Sequence, residues 1–159
     1  MDRRMLTLDD AHAIVERYAS DAGAAWFPDR NVIDRQRYWF FPVGYIGSYG
    51  VVVDKASGEV TALGSAFTLE DWLWGYEHGF LQTSVTLRIM SIDDLDRTLA
   101  VLQSSVSAEF RWRYELRNRL EDRLRELPAD FPQQNLALSI PSFRQALRNG
   151  WFEFELVDG

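Results

Sequence analysis

The order of periodic segments in this chain predicts an α+β fold, and three observations carry that reading. Between Gln36 and Leu63 three strand-like runs follow one another, the last two joined by the hairpin signal Asp54-Lys55-Ala56-Ser57-Gly58. A helix with both ends marked by its own residues, Thr68 to Gly79, comes next. The whole order is α-β-β-β-α followed by β-α-β-α-β-α-β, a mixture that argues for α+β over a doubly wound sheet. We expect one compact domain, or two closely packed α+β halves, 1–80 and 81–159, with antiparallel or mixed sheets. No flexible linker marks the division near Phe80.

Composition narrows the class. A chain of 159 residues is about one domain and long enough to bury a core. Hydrophobic residues at 47% and charged residues at 26% argue against disorder. The lack of cysteine removes disulfides, thiolate metal sites and cysteine nucleophiles, and it fits a reducing compartment. No apolar run approaches the roughly 20 residues that span a bilayer. The start, Met1-Asp2-Arg3-Arg4, leads straight into a polar helix pattern without an apolar signal core, so a cytoplasmic location is expected. Net charge is −7; residues 1–80 hold 7 Lys+Arg against 12 Asp+Glu, the remainder 10 against 12. An acidic surface serves solubility, disfavours nucleic acid and attracts basic partners.

Taken in order, Thr7 opens the first helix, with Asp10 placed to complete a capping box. Leu8, Ala11, Ile14, Val15, Tyr18, Ala19 and Ala22 form its apolar face, and Asp21 to Gly23 ends it. His12 beside this stripe reads as a packed or surface residue. Trp26 to Asp34 is a connector. Gln36 to Pro42 is a strand whose aromatics, Tyr38 to Phe41, are buried on both faces or present a surface on one. Gly44, Gly47 and Gly50 mark turns or bulges, since no Lys-Ser/Thr follows to make a phosphate loop. Tyr49 to Asp54 and Glu59 to Leu63 form the hairpin. Thr68 caps the second helix with Asp71 at N3, Phe67 and Trp72 as a staple and Gly79 as its stop.

Leu81 to Ile89 is the next strand. Ser91 caps a third helix, with Asp94 at N3 and Ile92, Leu95, Leu99 and Leu102 inward. Val106 to Tyr114 favours a strand, and Glu115 to Leu127 a helix with Leu116, Leu120, Leu124 and Leu127 inward. Pro128 and Pro132 bracket a loop. Leu136 to Ile140 is expected as a strand, Pro141 to Arg148 as a helix ended by Gly150, and Trp151 to Val157 as a final strand.

Catalytic chemistry is not written into the chain. His12 and His78 have no HxH or HxxxH partner, and no GxSxG turn accompanies them. The pairs Glu70-Asp71 and Asp93-Asp94 fall in first helical turns, where the dipole favours acids. We therefore assign no catalytic residue, metal or cofactor. Arg111 to Arg125 alternates arginines with Glu115, Glu121, Asp122 and Glu126, which reads as ion pairing on a solvated face and not as a nucleic-acid surface.

The second helix is more informative. At 100° per residue, Leu69, Trp72, Leu73, Tyr76 and Phe80 share one side, while Glu70, Trp74, Glu77 and His78 fall away from it. An aromatic between two acids resembles an interface anchor, unless another element covers it. Glu70, Trp74 and Glu77 are accordingly the expected partner-binding residues.

The stretch Gly50-Val51-Val52-Val53-Asp54-Lys55-Ala56-Ser57-Gly58-Glu59-Val60, continuing through Leu63-Gly64-Ser65-Ala66 to a helix with Trp74 and Tyr76, resembles the YrhB-like family of small bacterial immunity proteins. Leu8 to Ala22 and Tyr38 to Phe41 match that family's N-terminal helix and aromatic strand in order and character. The resemblance covers residues 1–80 and leaves 81–159 beyond it. It implies a cytoplasmic antidote that binds and neutralises a cognate toxin, with neither catalysis nor cofactor. Two other readings stand beside it. One is a small-molecule-binding or enzymatic domain with a pocket lined by Tyr38, Trp39, Phe40 and Tyr45. The other is a structural or adaptor subunit of an oligomer.

Overall fold

A computed structural model describes residues 4–26, 30–44, 48–106 and 116–158. It is α+β, and every strand pair among the described residues is antiparallel. The chain forms two compact units, Met1–Leu69 and Glu70–Gly159, and the second helix falls almost wholly in the second.

In the first unit, α1 (Leu8–Ala22) begins as its residues predict. Thr7 Oγ1 accepts from the Asp10 N–H while the Asp10 carboxylate accepts from the Thr7 N–H. Two short strands follow, β1 (Ala25–Trp26) and β2 (Ile33–Asp34), then β3 (Tyr38–Phe41), β4 (Val43–Gly44), β5 (Ser48–Asp54) and β6 (Val60–Gly64). The sheet order is β2-β3-β5-β6, and β1 pairs separately with β4. Trp39, Phe41, Val51 and Val53 pack with Ala11, Val15 and Ala19 of α1. Each buried Val or Phe among them contributes about 1.5–3 kcal/mol. At the hairpin, one Asp54 carboxylate oxygen accepts from the N–H groups of Ala56 and Ser57 and from the Ser57 hydroxyl.

The second unit contains α2 (Leu69–Glu77), β7 (Val85–Ile92), α3 (Leu95–Ser105), α4 (Leu116–Arg123), β8 (Ala129–Gln134), a single 3-10 turn (Ala137–Ser139), α5 (Ile140–Asn149) and β9 (Phe152–Asp158). The strand order is β8-β7-β9. One face of this sheet is apolar: Val85, Leu87, Ile89, Phe131 and Phe152 are buried. Phe143 of α5 meets Phe152 and Phe154 edge-on at 5.9 and 5.0 Å. On the other face Arg88 bridges Asp130 and Glu155 across all three strands, at 2.8 and 3.1 Å.

Several expectations give way here. β7 runs on through Ser91 and Ile92, so the cap of α3 is Asp94, which accepts from the Arg97 N–H, and not Ser91. Pairing with β9 up to Ile92↔Phe152 is what extends the strand. The expected loop at Pro128–Pro132 is largely β8. Pro132 is tolerated because β8 is an edge strand and its register with β7 slips between Val85 and Leu87, where the missing N–H costs no ladder bond. Leu136–Ile140 is expected as a strand, but Ala137–Ser139 is a 3-10 turn and Ile140 opens α5. Leu136, Ile140, Phe143 and Ala146 are buried at spacings of three and four, so the run is the start of the α5 stripe. The strand expected at Val106–Tyr114 lies outside the described residues apart from Val106.

Candidate functional site

On α2, Glu70, Trp74 and Glu77 lie one turn apart along a single stripe. Glu70 and Glu77 are exposed, while Trp74 is half-buried and not bare as its position on the wheel suggests. The reason is local. The His78 ring stacks on the indole at 4.2 Å, and Phe80 approaches it at 5.1 Å. His78 Nδ1 lies 2.7 Å from the Trp74 carbonyl oxygen and donates to it, because a carbonyl can only accept. The stripe is thus an aromatic platform between two acids.

The helix beneath is fixed firmly. Trp72 and Leu73 are buried, and Gly75 lets α5 come close: a Cβ there would lie 2.3 Å from Ile140 Cδ1. Beside Glu70, Asp71 forms an ion pair with Arg144 of α5 at 2.7 Å, which takes that carboxylate away from solvent. Tyr76, expected on the buried side, is half-buried.

Of the residues expected to line an aromatic pocket, the three that are described are buried. Tyr38, Trp39 and Phe40 are 1%, 6% and 2% exposed in β3; its edges are paired with β2 and β5, and α1 covers the face that carries Trp39 and Phe41. Tyr45 lies outside the described residues. A different hollow is present in the first unit, a groove of about 460 Å3 lined by His12, Glu16, Ala19, Ser20, Ala24 and Trp26. His12, Trp26 and Phe41 meet edge-to-face, with ring centres 5.6–6.3 Å apart. Sequence reasoning passed over this site. Its one signal was His12, Glu16 and Ser20 at successive four-residue steps beside the apolar stripe of α1.

Among the described residues no group of three or more His, Asp or Glu side chains is arranged to hold a metal ion. No helix among the described residues is long and apolar enough to cross a membrane. No family model, curated protein or solved structure matches the chain.

Proposed function

We propose that this chain is a non-catalytic protein-binding domain, an immunity protein that neutralises a cognate bacterial toxin by covering it. The observation that carries the reading is the α2 stripe, where a rigidly seated indole is flanked by exposed Glu70 and Glu77. Interface hot spots are typically aromatic anchors on a fixed backbone within a charged rim. The net charge of −7 selects a basic partner and speeds its approach. The resemblance of residues 1–80 to the YrhB-like family supports the same assignment. The burial of Tyr38, Trp39 and Phe40 favours this reading over a ligand pocket at those residues.

The test is capture of a partner from the source bacterium with tagged protein, followed by growth rescue against the captured protein. Recovery of a lethal protein whose toxicity this chain suppresses is the expected result. Truncating the anchor, Trp74→Ala, then weakens binding by roughly 30-fold, the equivalent of ~2 kcal/mol. Unchanged affinity in a folded Trp74→Ala variant removes α2 as the contact surface.

A further inference from the structure

The groove beside α1 has a chemistry that the protein-binding reading does not use. Its walls are carbon at Ala19, Ala24 and the Trp26 ring, and polar at His12, Glu16 and Ser20. Among the described residues of the lining Glu16 supplies the one carboxylate, and no Lys or Arg takes part. The Trp26 N–H is sealed away from solvent without a hydrogen-bond partner among the described residues. The indole therefore offers the groove carbon surface and π density, not a donor. A carboxylate, a hydroxyl and an aromatic surface around one hollow are the components of a site for cations. An anion would meet Glu16 without a compensating charge. A volume of about 460 Å3 falls within the range of small-molecule sites, ~300–1,000 Å3.

We propose that this groove binds a small organic cation, a protonated primary amine carrying a short apolar or aromatic body. The ammonium group sits against the Glu16 carboxylate and the Ser20 hydroxyl, and the body lies over Trp26 between Ala19 and Ala24. The edge-to-face packing of His12 and Trp26 on Phe41 holds this floor in place before the ligand arrives.

The test is an NMR titration of the intact chain with three probes of one shape: phenethylamine, 2-phenylethanol and phenylacetate. The expected result is a saturable shift of the Trp26 indole N–H and His12 ring signals with the amine, half-complete below about 1 mM, and none with the alcohol or acid. Glu16→Gln then weakens the amine at least fivefold. Asp21→Asn, which removes an acid of the same helix outside the groove, changes it less than twofold. Glu16 and Asp21 are both exposed, so neither substitution threatens the fold. The proposal is overturned by equal binding of all three probes, by an absence of saturable shifts up to 10-fold above that concentration, or by equal effects of the two substitutions. Tighter binding of an arginine-containing tripeptide than of phenethylamine also overturns it, since the groove would then be part of a protein-docking surface.

Discussion

Gly50 has φ +146°, and a Cβ built on it would lie 2.2 Å from the Phe41 carbonyl oxygen. That oxygen belongs to the neighbouring strand and cannot swing aside. Ser48 completes the bulge: its Oγ accepts from the Gly50 N–H at 3.1 Å and donates to the Leu63 carbonyl at 2.7 Å. Gly50→Ala is expected to cost about 3 kcal/mol or more, read as a lower urea midpoint, because it adds backbone strain to a steric clash. A near-neutral result would mean that the bulge rearranges freely. The glycine was legible as a turn or bulge from its place between two strands. Its necessity was not, because the obstructing atom is nine residues away across a ladder.

At the scale of elements, α2 and α5 meet where Gly75 faces Ile140. A helical Gly→Ala change normally gains about 1 kcal/mol. Here the new methyl would be 2.3 and 2.8 Å from two carbons of a fully buried isoleucine. Overpacking typically costs ~1–3 kcal/mol, so Gly75→Ala is expected to destabilise the chain by about 1 kcal/mol net. Adding Ile140→Val removes the closest carbon, and the double variant should show favourable coupling between the two changes in a thermal-unfolding cycle. Additive losses would show that the two sites do not interfere. Element ends were readable wherever the signal was local: Thr7 with Asp10, Ser57-Gly58, and Gly150 in the left-handed conformation after α5. They were misread where a distant partner decides. β9 lengthens β7, and β7 accepts Pro132 at a slipped edge.

Over the whole molecule, acid stability depends on carboxylates that gain partners on folding. Hydrogen bonds from Arg88 hold the Asp130 carboxyl below its ordinary range, and the Thr7 N–H does the same for Asp10. A lowered folded pKa means that the unfolded chain binds protons first as pH falls. The stabilisation is therefore complete above the unfolded value, ~3.9, and is lost on acidification through the folded value. Asp130→Asn should differ from the parent by a constant amount at neutral pH, and the gap should close below about pH 4 in urea melts. A gap that persists undiminished in acid would place the effect elsewhere. The sequence by itself determined the class of fold, the acidic character and the stripe of Glu70, Trp74 and Glu77, because helix period and charge are properties of neighbours along the chain. Tertiary structure alone decided that β3 is interior on both faces and that Glu16 and Trp26 share a groove. Those facts depend on which segments pair across space, and pairing energies summed over a sheet or a core outweigh any single residue's local preference.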